Sequence, residues 1–195
     1  MNVAEKIVQT YLRLNGFFTI PKFTILGSKA GHIDIIAVRI GSSKEIVGSR
    51  KKIPLIIDTK FLELLEESDD ETVGLIVEVK GGEVKEEISS EHFEQVKPFF
   101  GKLNKIFRVL FEKDARDLHR QEINGEIHFI VPISHCLRFI NSRFDQLNKI
   151  EPKVRERGDI TKYGSWYLSE EFLSELIYLK SMGYFGKSSQ KKKHC

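Results

Sequence analysis

Two carboxylates stand inside apolar runs, where an ionised side chain is costly. Asp34 lies in His32-Ile33-Asp34-Ile35-Ile36-Ala37-Val38 and Glu78 in Leu75-Ile76-Val77-Glu78-Val79-Lys80. Runs this apolar fill both faces of a buried strand, and carboxylates are almost never buried without a partner. Either each acid faces solvent on a half-exposed sheet, or the fold supplies it with a partner. Residues two apart on a strand share a face, so Lys80 projects on the same side as Glu78, at a strand end next to Gly81-Gly82.

The rest of the chain is organised around these two segments. With 195 residues, 41% hydrophobic and 30% charged, it can bury one full core. Disorder as the main state is excluded, and no apolar run reaches the roughly 20 residues of a membrane span. Val3, Ile7, Val8, Tyr11, Leu12 and Leu14 recur at helical spacing, and Asn15-Gly16 stops the helix. Strands are expected over 17–26 and 32–40, joined by the turn 27–31. Residues 41–72 read as an insertion, with a short strand at 53–57, a helix at 59–67 and an acidic loop at 66–71. A strand follows over 74–80. Residues 91–111 carry a helical stripe that Pro98 bends or splits in two. A further strand is expected over 126–134, residues 139–150 are open between loop and helix, and a last helix is capped by Ser169 and ended by Gly183.

The expected class is therefore α/β, a mixed sheet flanked by helices in the order α-β-β-β-α-β, followed by a helical extension. Residues 1–140 form the core, 141–185 an extension packed on it, and 186–195 a disordered basic tail. Lys187, Lys191, Lys192 and Lys193 give that tail more charge than the chain's net +3, which leaves residues 1–186 at −1. Net charge is thus no argument for a polyanionic partner. With no secretory signal pattern at Met1 to Lys6 and only Cys136 and Cys195 as thiols, a cytoplasmic protein is expected.

If the Asp34 and Glu78 strands are neighbours, two carboxylates and the Lys80 ammonium converge. That set suits a hard, oxygen-preferring cation such as Mg²⁺ (or Mn²⁺), bound by carboxylates, a backbone carbonyl and water. Such a cation polarises a phosphodiester and lowers the pKa of an attacking water, while a lysine orients that water. A cleft so equipped would hydrolyse a nucleic-acid backbone.

The order of an acid in helix one, Gly31-x-x-Asp34 with apolar residues after it, and an apolar strand ending Glu78-Val79-Lys80 resembles the PD-(D/E)xK nuclease superfamily. Its members include restriction endonucleases, archaeal Holliday-junction resolvases and repair nucleases. Glu5, Val8, Tyr11, Leu12, Gly16 and Phe17 resemble the helix-one phrase of the resolvase branch. The resemblance covers residues 1 to about 133 and implies a restriction-endonuclease-like core. It implies Asp34, Glu78 and the Val79 carbonyl as metal ligands, Lys80 as the residue that orients the water, and Glu5 as an accessory acid. Gln95 stands where some relatives use a glutamine. The long insertion and Pro98 depart from the pattern. The activity implied is that of a metal-dependent DNA endonuclease acting on duplex, junction or branched DNA as a twofold homodimer. A catalytically inactive module on the same fold, binding nucleic acid or a partner protein, is the alternative.

Several of these residues, and others, admit a second reading. Helical geometry alone sets Glu5 off the apolar stripe, as a solvated glutamate. Asp58-Thr59-Lys60 also follows an apolar run, but the helical stretch after it marks Asp58 as an N-cap or turn residue, so Glu78 is preferred. His32 shares a strand face with Asp34 and is open between a DNA contact and a structural histidine. Arg155, Arg157 and Lys162 precede Tyr163-Gly164-Ser165-Trp166-Tyr167, a pattern that either tracks a phosphate backbone or covers the core edge. His119, His128, His135 and Cys136 lack zinc spacing, and no P-loop is present.

Overall fold

Helix α1 (Val3–Leu14) begins with a reciprocal cap. The Asn2 side chain accepts the Glu5 N–H at 2.9 Å, and the Glu5 carboxylate accepts the Asn2 N–H at 3.1 Å. It ends in a Schellman-type turn, with Gly16 at φ 84° and the Phe17 N–H on the Leu12 carbonyl at 3.1 Å. Ile7, Val8, Tyr11, Leu12 and Leu14 are buried, as their spacing predicts. The computed structural model describes residues 2–25, 31–41, 46–47, 53–54, 56–65, 72–81, 90–103, 105–123 and 125–155.

Along the chain, β1 (Phe18–Ile25) and β2 (Gly31–Arg39) are followed by the two-residue strands β3 (Ile46–Val47) and β4 (Ile53–Pro54) and by α2 (Thr59–Leu64). Then come β5 (Val73–Lys80), α3 (Ser90–Val96), a 3₁₀ turn (Lys97–Phe100), β6 (Lys105–Glu112), β7 (His119–Ile123), β8 (Glu126–Pro132) and α4 (Ile133–Arg155). Six strands form one mixed sheet in the order β1-β2-β5-β6-β8-β7. The β5–β6 and β6–β8 pairs are parallel and the other three antiparallel. The class is α/β, as expected.

One core lies between the sheet and the helices α1, α2 and α4; it includes Tyr11, Phe17, Phe61, Val77, Phe111 and Ile140. A smaller one lies under α3, where Val96 and Phe100 pack on Ile36 and Ile76. Phe100 sits directly on Gly74, where an added Cβ would come within 2.6 Å of its ring. Arg143 of α4 is buried and donates to the Leu14 carbonyl at 2.8 Å, so a cation closes the C-terminal end of α1.

Two expectations need correction. The helical stripe over 91–111 breaks at Pro98 and at Gly101 (φ 59°), and residues 105–112 form a strand instead of a second helix. A parallel strand buried on both faces shows no alternation, so Phe107 and Leu110 fit a helical template equally well. The edge strand β7 was not expected, because four of its five residues are polar and exposed. Residues 139–150, left open, belong to α4, which starts where the strand ending at Pro132 stops. The segments 66–71 and 156–195, including the expected last helix and tail, lie outside the described residues. Among the described residues, no helix is long and apolar enough to cross a membrane.

Candidate active site at an opening in the sheet

Asp34 marks a place where the ladder fails on both sides of one strand. Toward β1, Pro21 pairs with Ile35 and Phe23 with Ile33, but Lys22, opposite Asp34, forms no pair and has φ 52°. Toward β5, pairing runs from Arg39↔Val73 to Ile35↔Val77 and stops one step before Asp34 would face Glu78. There the Asp34 Oδ2 accepts the Val79 N–H at 2.8 Å. A side chain has replaced the next backbone acceptor, so the carboxylate lies close to the sheet plane, in a gap between β2 and β5. The alternation of β2 slips at the same point. Ile33 and Ile36, three residues apart, both pack in the α3-side cluster, while Ile35 and Ala37 pack on the α1 side. The register is the same on both sides of the skipped step, with one unpaired residue on each strand, so the slip is a local break in the ladder and not an inserted residue.

Charge around Asp34 is mixed. Burial is the largest influence on its carboxyl and raises the pKa. The Val79 N–H opposes that, the nearby Glu5 adds to it, and His32 and Lys22 lower it, with a net upward result. His32 Nε2 lies 3.6 Å from the other oxygen, Oδ1. Glu5 is buried, not solvated as helical geometry alone suggested, and its carboxylate also accepts from Asn2 Nδ2 at 2.8 Å. Asn2-x-x-Glu5 is a capping-box pattern legible in the sequence, and it fixes an acid at the start of α1, within electrostatic reach of Asp34. The close approach of α1 to the end of β5 depends on Gly81, where an added Cβ would stand 2.9 Å from Ala4.

On β5, Val77 and Val79 point into the α1-side core, so Glu78 and Lys80 stand on the α3 side with Ile76, both half-buried. Asp34, Glu5, His32 and the Val79 backbone are thus gathered at the gap, and Glu78 and Lys80 flank Val79 from the α3 side. Gln95 is on α3, the helix above that same side. His92, one turn earlier, lies against Gly31, whose Cβ would come within 2.7 Å of the His92 ring. That explains the glycine three residues before Asp34, and His92 was not picked out by sequence. Arg155 is the last residue of α4, and Arg157 and Lys162 lie outside the described residues.

Asp58 has a different occupation. It caps α2, accepting the Phe61 N–H at 3.3 Å, as its sequence context suggested. It also accepts from Tyr11 Oη at 2.8 Å and from His135 Nε2, and its own N–H donates to Asn15 Oδ1 at 2.7 Å. Burial would raise its pKa, but the His135 hydrogen bond and charge, Tyr11 and the Phe61 N–H hold it below the usual carboxylate range. Burial pushes the Tyr11 hydroxyl well above its ordinary value. This joint ties the insertion to α1 and α4.

A cleft of about 620 Å³ opens between the starts of α1 and α4 and the end of β5, lined by Val3, Ile7, Val79, Gly81, Lys113 and Leu137. Among the described residues, no three His, Cys, Asp or Glu side chains form a ready metal cluster. The carboxylates at the gap offer oxygen, with one Asp34 oxygen already committed to Val79, and oxygen donors are the type that Mg²⁺ or Mn²⁺ takes; the His32 ring adds a nitrogen 3.6 Å from the other Asp34 oxygen. No family model matches this chain, and no curated protein or solved structure matches it either.

Proposed function

We propose that this protein is a metal-dependent DNA endonuclease of the restriction-endonuclease-like type, as its resemblance to the PD-(D/E)xK nucleases implies. The observation that carries the reading is the bond from the Val79 N–H to Asp34. It sets the motif acid of β2 beside the residue between Glu78 and Lys80. In this reading Asp34, Glu78 and the Val79 carbonyl would hold one Mg²⁺ or Mn²⁺. A bound cation of this kind lowers the pKa of a coordinated water and offsets charge on the phosphate.

Lys80 orients the attacking water, and Glu5, held by Asn2, acts as an accessory acid beside Asp34. Water adds to phosphorus, the bridging P–O bond breaks, and the leaving oxygen takes up a proton. His32 and Gln95 contact the DNA, and Arg155, Arg157 and Lys162 bind its backbone. Cutting both strands of a duplex or junction calls for two such sites, supplied by a homodimer. The enzyme would serve repair, recombination or restriction in the cytoplasm.

The test is cleavage of plasmid, single-stranded DNA, a four-way junction and RNA with Mg²⁺ or Mn²⁺. Metal-dependent cutting by the wild type that is lost in Asp34→Ala and Lys80→Ala supports the reading. Binding without cleavage under every condition would favour a noncatalytic module.

A further inference from the structure

Among the described residues, Lys22 is the only non-glycine residue with a positive φ, at 52°. Glycine, asparagine and aspartate adopt that conformation readily; a long side chain such as lysine does so at a cost. The strain falls at one spot, opposite Asp34, where the β1–β2 ladder skips a pair. β1 is an edge strand of the sheet, and Lys22 is exposed on it. The ammonium is near enough for its charge to act on the Asp34 carboxyl. Backbone strain that a glycine or asparagine would relieve, kept at the mouth of an opening, points to a use for the side chain that is there.

We infer that Lys22 is a substrate-positioning residue whose ammonium binds the nucleic-acid phosphate backbone at the mouth of the Asp34 gap. This rests on reading the gap as a nuclease site. A lysine head is a compact charge on a flexible stem, suited to a phosphate oxygen whose exact position varies with the substrate. From the sheet edge it meets a long polyanion that lies across the strand ends, whereas Lys80 is half-buried on the α3 side. The unpaired step in β1 leaves Lys22 outside the ladder, exposed and opposite Asp34. The competing role is purely internal, as a counter-charge that steadies Asp34.

The two roles separate in Lys22→Asn, which accepts the backbone conformation and removes the charge, and in Lys22→Arg, which keeps the charge. Duplex and junction DNA binding is measured in EDTA across a salt series, alongside cleavage kinetics and thermal unfolding. In Lys22→Asn the slope of log K against log[salt] is expected to shrink by about 1. Its kcat/KM falls roughly tenfold, mainly through KM. Its Tm holds or rises, and Lys22→Arg recovers the slope and KM. A lower Tm in Lys22→Asn with unchanged slope and KM would overturn the inference while leaving the nuclease reading intact. A reduced slope in a protein that cuts nothing would uphold Lys22 as a phosphate contact and remove the nuclease reading instead.

Discussion

The Asp34 carboxylate accepts the Val79 backbone N–H at 2.8 Å, where the pairing of β2 with β5 has just ended. This single bond gives Asp34 a structural duty beside the catalytic one proposed for it, and the two can be separated. Asp34→Ala leaves the Val79 N–H without that acceptor, a loss of about 1–3 kcal/mol. Asp34→Asn keeps an oxygen for the N–H and removes a charge near Glu5, so its stability should stay within about 1 kcal/mol of wild type. Both should lack cleavage. Urea unfolding of the two variants checks this, and an Ala variant as stable as wild type would refute the structural half.

Glu5 offers a second separation. Its carboxylate receives the Asn2 N–H and Nδ2, so Glu5→Ala loses a helix cap and should cost about 0.5–2 kcal/mol. Glu5→Gln keeps an acceptor for the N–H, should unfold within about 0.5 kcal/mol of wild type, and isolates the effect of the negative charge. Cleavage by Glu5→Gln should fall at least several-fold in kcat. Unchanged kcat in a folded Glu5→Gln would remove Glu5 from the site.

Acid should loosen the joint between the insertion and the core. The Asp58 carboxyl is held below its ordinary value in the folded protein, so the unfolded chain binds its proton more readily. The stability Asp58 contributes is therefore complete above the unfolded value of about 3.9 and is lost as pH falls through the lower folded value. Asp58→Asn should flatten that part of the stability curve below about pH 4 while lowering stability at pH 7. Tyr11→Phe should cost about 1 kcal/mol at pH 7. Unfolding measured from pH 2 to 7 tests both; parallel curves for wild type and Asp58→Asn would contradict the assignment.

Gly74 is required by its neighbour. Gly74→Ala drives a methyl group to within 2.6 Å of the Phe100 ring and should cost about 1–3 kcal/mol. Phe100→Leu in the same chain should recover part of the loss, which a double-mutant cycle would register as coupling. Simple additivity would mean that the ring does not press on this strand.

What could be read from sequence depended on how local its cause was. Helix α1 and the strands around Asp34 and Glu78 were legible because each carries its own pattern over 8 to 12 residues. The anomaly of Asp34 was legible too, since a carboxylate among isoleucines demands a partner whatever the fold. That the first partner is a backbone N–H, 45 residues away, was not. Helical geometry alone points to a solvated Glu5, yet the residue is buried off the apolar stripe, where its carboxylate accepts from Asn2. The burial of Asp58 depends on Tyr11 and His135, which are 47 and 77 residues distant. The strand around Phe107 and Leu110 was hidden because both of its faces are covered, and Lys22 gives no sign of its φ in the residues beside it.

The central claim is that Asp34 and Glu78 share one divalent cation at the gap between β2 and β5. Anomalous diffraction from crystals soaked in Mn²⁺, with wild type beside Asp34→Asn, tests it most directly. The account predicts one Mn²⁺ per chain bound by both carboxylates and the Val79 carbonyl in the wild type, and none there in Asp34→Asn. No Mn²⁺ at the gap in a wild-type crystal under conditions where the protein cuts DNA, or Mn²⁺ held elsewhere and unaffected by Asp34→Asn, would contradict it.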